Sequence, residues 1–241
     1  MFYCHVPKCA GVSLSRALRD QLFAASAESC FRIDLRAARQ AAETFSFGMM
    51  EAREFLLAYN LSLKKNRYGS GHVFCRPRLI HRFAGEWSFV TILRNPVDRW
   101  ISEYVYNKHK QSNWFKCTLD PESYLASRTA VISGRSYLRY FSSIPDNYEG
   151  DLNEFIDEAV TNLMRFSVIG TLENLDRWAE FFRERFDCRL SVRHLNASPK
   201  PEVVSAFRGS ESTMKRVREL CHADLQVYER ISKLTASCAA Q

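Results

Sequence analysis

Short apolar runs alternate along this chain with longer stretches of helical period, and the alternation predicts its secondary structure. Phe2 to Val6 reads as an apolar strand, and from Ser13 to about Phe23 Leu14, Leu18 and Leu22 recur at i, i+4 and i+8 on one helical stripe. From Asp34 to about Leu63 the period is helical but interrupted near Phe47-Gly48, which predicts two helices, the second turning Phe55, Leu56 and Tyr59 inward. Arg67 to Phe74 reads as a short strand edged by Gly69 and Gly71, and Trp87 to Leu93 as a buried β-branched and aromatic strand ending at Arg94-Asn95-Pro96. A helix follows from Val97 to about Lys110, with Val97, Trp100, Ile101, Tyr104 and Val105 on its inner face. The irregular segment from Gln111 to Tyr148 predicts helical turns near Pro121 to Ser127 and Gly134 to Phe141, and segments of this kind commonly shape substrate sites. Beyond it come an amphipathic helix opened by Asp151, a third buried strand at Phe166 to Gly170, a helix from Glu173 to Phe186 and a long last helix from Glu211 to about Leu234. Strands alternating with helices imply an α/β fold, a parallel sheet with helices on both faces.

Composition narrows this reading without changing it. With 241 residues and 46% hydrophobic content, one substantial core and a single domain over residues 1–241 are expected. A formal net charge of +7 favours a polyanionic partner, whether nucleic acid, an anionic membrane or a phosphorylated small molecule. The basic residues are interspersed with acids and no arginine-rich arm exists, which argues against nucleic acid. Eight cysteines are scattered with no C-x-x-C pair and no zinc spacing, so free thiols in a reducing, cytoplasmic compartment are expected. No apolar run approaches the ~20 residues that span a bilayer, although an anchor removed from upstream would move the expectation to the Golgi lumen.

The first chemistry-bearing motif is Pro7-Lys8-Cys9-Ala10-Gly11-Val12-Ser13, set between a strand and a helix start. Backbone N–H groups there lack intrahelical partners and sit at the positive end of the helix dipole, so the turn suits a phosphate. Lys8 adds a point charge, Gly11 permits close approach and Ser13 offers a hydroxyl. Lys8 precedes Ser13 by five residues rather than adjoining it, which departs from the nucleoside triphosphatase pattern G-x-x-x-x-G-K-[ST]. The second motif is Arg94-Asn-Pro-Val-Asp-Arg-Trp-Ile-Ser102, at the carboxyl end of a strand where parallel sheets collect ligands. Taken alone, Arg94 could pair with Asp98; taken with the first motif, Arg94 and Ser102 form a clamp for a second phosphate.

Together the two motifs resemble the 5′-phosphosulfate loop and the 3′-phosphate signature of the sulfotransferase superfamily, in the branch of the heparan sulfate 2-O-sulfotransferases and bacterial carbohydrate sulfotransferases. Gly71-His72-Val73, Ile169 to Leu175, Asn196-Ala-Ser-Pro-Lys200 and His222 to Tyr228 extend the resemblance over nearly the whole chain. Cys9, Ala10 and Val12 stand where the family more usually has Thr, Gly and Thr, which removes side-chain hydroxyls but no backbone N–H donor.

The resemblance implies a P-loop-type three-layer sandwich and the donor 3′-phosphoadenosine 5′-phosphosulfate (PAPS), released as adenosine 3′,5′-bisphosphate, with no metal. It implies the 5′-phosphosulfate on Lys8, Cys9, Ala10, Gly11, Val12 and Ser13, the 3′-phosphate on Arg94 and Ser102, and a capping loop carrying Asn196, Ser198 and Lys200. Lys8 would stabilise charge on the leaving oxygen, and a histidine would be the general base, His72 first and His81 second. The implied acceptor is a hydroxyl of a glycan or glycolipid; oligomeric state is left open. Arg76, Arg78 and Arg82 read equally as an acidic-acceptor site or as solvated surface charge. Two rival readings remain: a P-loop nucleotide kinase, which calls for a Walker lysine beside Ser13, and a non-catalytic basic nucleic-acid-binding module, which calls for a basic stripe with exposed aromatics.

Overall fold

A computed structural model of the chain describes residues 1–191 and 201–237. In chain order the elements are β1 (Phe2–Cys4), α1 (Gly11–Leu22), β2 (Cys30–Arg32), α2 (Leu35–Phe45), α3 (Met49–Ser62), β3 (Tyr68–Gly71), α4 (Pro77–Phe83), β4 (Phe89–Val90) and α5 (Pro96–His109). They continue with α6 (Pro121–Leu125), α7 (Arg128–Gly134), α8 (Ser136–Phe141), α9 (Asn153–Leu163), α10 (Leu175–Phe186), α11 (Pro201–Gly209), α12 (Glu211–Leu220) and α13 (His222–Ser237). The four strands form one parallel sheet in the order β2-β3-β1-β4, flanked by helices.

That order has a functional consequence. Sequence-adjacent β3 and β4 lie on opposite sides of β1, so β1 marks the point where the winding reverses and where a crevice opens beyond the strand ends. The loop leaving β1 carries the first motif and the segment leaving β4 carries the second. Phe2, Tyr3 and Cys4 are fully buried, and this all-apolar strand needs cover on both faces. One large core surrounds the sheet; a second, built from Trp100, Tyr104, Tyr124, Phe207 and Val217, lies among α5, α6, α11 and α12.

Several expectations are corrected. The buried face of α3 is Ala52, Arg53, Leu57 and Leu61, with Arg53 only 5% exposed, while Phe55 and Tyr59 are each 64% exposed and Leu56 is half-buried. The predicted inward aromatics thus point outward, because the helix is apolar on both sides and the other face packs into the core through Leu57 and Leu61, with Arg53 bonded to the His72 carbonyl. Phe166 to Gly170 makes only isolated parallel bridges, Val90 to Val168 and, just beyond, Leu93 to Thr171. The last long helix breaks at Cys221 into α12 and α13, which lets buried Asp224 accept the N–H groups of Tyr137 (2.8 Å) and Leu138 (3.2 Å) at the start of α8.

Candidate active site

The loop from His5 to Ala10 is shaped by two non-glycine residues in the left-handed region, Lys8 at φ 67° and Ala10 at φ 55°. Such residues each cost on the order of 1 kcal/mol and recur where a backbone is bent for function. Left-handed residues alternating with right-handed ones also let successive N–H groups converge on an anion. Ala10 is the N-cap of α1 and donates no side-chain cap, and the first intrahelical bond runs from Leu14 N–H to Ala10 O, 3.2 Å. The N–H groups of Gly11, Val12 and Ser13 therefore lie at an uncapped helix start. Ser13 is buried and Val12 exposed. The Cys9 side chain is buried, its Sγ 3.7 Å from the Tyr137 hydroxyl, and burial pushes its thiol up to about 11, so only its backbone is available to an anion.

The reason for glycine at position 11 differs from the expected one. Its φ is ordinary, but a Cβ there would lie 1.6 Å from His5 Nε2, so the absent side chain makes room for the His5 imidazole. The buried His5 ring in turn lies 3.9 Å, centroid to centroid, from the ring of His72. His72 Nδ1 is 2.7 Å from the His5 carbonyl oxygen. A carbonyl can only accept, so Nδ1 carries the proton and Nε2 is left with its lone pair. Burial, reinforced by the Arg53 and Arg32 charges, pushes the His72 imidazole down to about 4 against the opposing pull of that carbonyl.

Arg94 reaches the same loop from the other side, its guanidinium donating to the Lys8 carbonyl at 3.3 Å. The alternative pairing with Asp98 does not form; Asp98 binds Arg208 at 2.7 Å. Tyr137 fixes the Arg94 backbone, accepting its N–H at 2.8 Å and donating to its carbonyl. Asn95 caps α5 by accepting from Val97 N–H at 3.0 Å, and its own N–H is held by Glu173, which also receives the Tyr228 hydroxyl. The motif segments near residues 94, 173 and 228 thus meet in one hydrogen-bonded joint. Ser102 is half-buried on α5. Lys8 Nζ stands 4.1 Å from the centroid of the Tyr106 ring, and burial together with repulsion from Arg94 lowers its ordinary value.

A cavity of about 1130 Å³ opens beside His72, lined in part by Pro7, Arg53, Glu103, Lys110, Arg139 and Tyr140. Arg76 lines it too, whereas Arg78 and Arg82 do not, and Arg82 pairs with Glu86 at 2.9 Å. His81 is exposed on α4 and lies outside the lining. Asn196, Ser198 and Lys200 fall outside the described residues. Three contributors escaped sequence reasoning. Arg53 donates to the His72 carbonyl at 3.1 Å, Glu103 is clamped by fully buried Arg99 at 2.7 Å and by Ser133 at 2.6 Å, and Tyr137 joins the two motifs. Burial raises the Glu103 carboxyl, but Arg99 and Ser133 outweigh it and hold the group ionised. The Arg99/Glu103 spacing of i, i+4 was a usable signal. Nothing in the sequence marked Arg53 or Tyr137.

A sulfotransferase family model matches residues 1–235. No curated protein matches the chain significantly.

Proposed function

Because the chain belongs to the sulfotransferase family and is therefore a sulfuryl-transferring enzyme, we propose that its donor is PAPS and its acceptor a carbohydrate hydroxyl, activated by His72. One observation carries the reading: the loop from His5 to Lys8 receives both the His72 ring, through the His5 carbonyl, and the Arg94 guanidinium, through the Lys8 carbonyl. Base and phosphate clamp are thereby fixed to one short piece of backbone.

The donor supplies the sulfuryl group, and the residues do the rest. The N–H groups of Gly11, Val12 and Ser13 with Lys8 would hold its 5′-phosphosulfate, and Arg94 with Ser102 its 3′-phosphate. Among the described residues neither Ser13, Ser102 nor the Arg94 guanidinium is engaged by an acidic side chain, which suits groups awaiting an anion. His72 Nε2 takes the proton of the acceptor hydroxyl as its oxygen bonds to sulfur, and Lys8 stabilises the negative charge that builds as the bond from sulfur to the 5′-phosphate oxygen breaks. The cavity beside His72, with Asn107, Thr118 and Ser136 among its walls, supports a hydroxyl-rich acceptor.

The decisive test is thermal unfolding with adenosine 3′,5′-bisphosphate, ATP and an oligonucleotide, each without magnesium. The bisphosphate at a hundredfold excess over its Kd should stabilise by ~2.7 kcal/mol, or roughly 5–10 °C for a chain of this size. Stabilisation by ATP or oligonucleotide instead would replace the reading with a kinase or a nucleic-acid-binding module.

A further inference from the structure

The outward face of α3 is apolar where solvent exposure calls for polar residues, and it does not stand alone. Phe45, Phe47, Phe55, Tyr59 and Phe115 are each between 48% and 67% exposed. Phe45 and Phe47 stack at 6.1 Å and Phe47 lies 5.5 Å from Phe55, with Tyr59 one turn further along the same helix. Across a groove of about 710 Å³, Trp114 and Phe115 face Phe47, their own rings 5.0 Å apart. Met49, Trp114 and Phe115 line both this groove and the cavity beside His72, so the aromatic residues form two lips at one mouth. Lys110 and Lys116 line the cavity behind the second lip and carry its positive charge, while Arg39, over the Trp114 ring at 5.1 Å, is paired with Glu43 of the same groove.

We propose that these two aromatic lips dock the enzyme peripherally on an anionic lipid bilayer, mouth down, so that the acceptor enters the cavity from the membrane surface. The inference rests on the sulfuryl-transfer reading of the cavity. A contiguous exposed apolar patch of this kind marks an interaction surface, and aromatic rings flanked by lysine and arginine suit the boundary between headgroups and acyl chains. The net charge of +7 complements anionic headgroups. A second copy of the chain seated on both lips would seal the mouth through which acceptor must pass, whereas a bilayer presents acceptor there. Phenylalanine predominates on the lips, and it offers no hydrogen bond with which to grip a sugar.

Sedimentation with vesicles tests this, using phosphatidylcholine alone and phosphatidylcholine containing roughly one third phosphatidylglycerol. The wild-type chain should sediment with the anionic vesicles, and a Phe45→Ser/Phe47→Ser/Phe55→Ser variant, which leaves the walls of the cavity beside His72 untouched, should partition about tenfold or more weakly. Trp114 supplies a second readout, since Trp87, Trp100 and Trp178 are buried; bilayer contact should shift its emission to the blue. An unchanged melting temperature and unchanged stabilisation by adenosine 3′,5′-bisphosphate establish that the variant is folded and its donor site intact, and so separate failure of docking from failure of the proposed function. Absence of wild-type sedimentation, or equal sedimentation of the variant, overturns the proposal. So does loss of concentration-dependent self-association, or of turnover on a soluble oligosaccharide, as the variant's principal defect; these would assign the lips to a second copy or to a glycan.

Discussion

His72 is set up as a base by backbone chemistry rather than by a carboxylate partner. Its Nδ1 proton is committed to the His5 carbonyl, and burial keeps the ring neutral at ordinary pH. His72→Ala should lower turnover by about 10²- to 10⁴-fold with donor binding retained, as read by steady-state kinetics and thermal shift; a normal rate would remove His72 from the role of base. The acid limb of the pH–rate profile should lie near 4 rather than near 6.5, because activity is lost only when falling pH protonates the ring at its depressed value. The stability consequence has the same sign. The unfolded ring protonates near 6.5 and the folded one near 4, so the stability that His72 contributes is lost as pH falls from about 6.5 to about 4. Gly11→Ala drives a methyl into the His5 ring and should cost about 1–3 kcal/mol by chemical denaturation. It should also lower turnover, because His5 holds His72. Residue types and spacing made Lys8, His72 and Arg94 legible. The role of His5 was not, since a contact between side chains just beyond two neighbouring strands leaves no mark along the chain.

At the scale of elements, the joint formed by the end of β4 and the starts of α8 and α13 holds the phosphate clamp in place. Tyr137 is its centre, bonded to the Arg94 backbone and touching Cys9. Tyr137→Phe leaves the Arg94 N–H without its partner and should cost about 1–3 kcal/mol. A raised Kd for adenosine 3′,5′-bisphosphate, measured by calorimetry, should accompany that loss. The parallel strands β1, β3 and β4 were readable as short runs bounded by turn residues, α1 from its stripe of Leu14, Leu18 and Leu22, and α2 and α5 from their Asx caps Asp34 and Asn95, the latter followed by Pro96. α3 misled because both its faces are apolar, and the buried one includes Arg53, whose hydrogen bond to the His72 carbonyl only the tertiary structure supplies. The break at Cys221 was hidden by an unbroken helical period, and its cause is Asp224, needed by the N–H groups of Tyr137 and Leu138.

Across the whole molecule, topology brings the two motifs together: β1 sits where the winding reverses, and the loops leaving the parallel strands β1 and β4 lie at the same end of the sheet, tied by the Arg94 bond to the Lys8 carbonyl. Cys4, Cys9, Cys75 and Cys221 are free thiols buried in the core. Their packing, not covalent bridging, is what they contribute, and the melting temperature should be the same with and without dithiothreitol. A drop on reduction would show a disulfide that these four thiols do not form. The two ties on the loop from His5 to Lys8 also divide the molecule for anyone wishing to redesign it. Walls drawn from residues 114–119, from Arg139 and Tyr140 and from residues 143–146 can be rebuilt for new acceptors while proton removal and anion grip stay coupled. Any change of donor has to move both together.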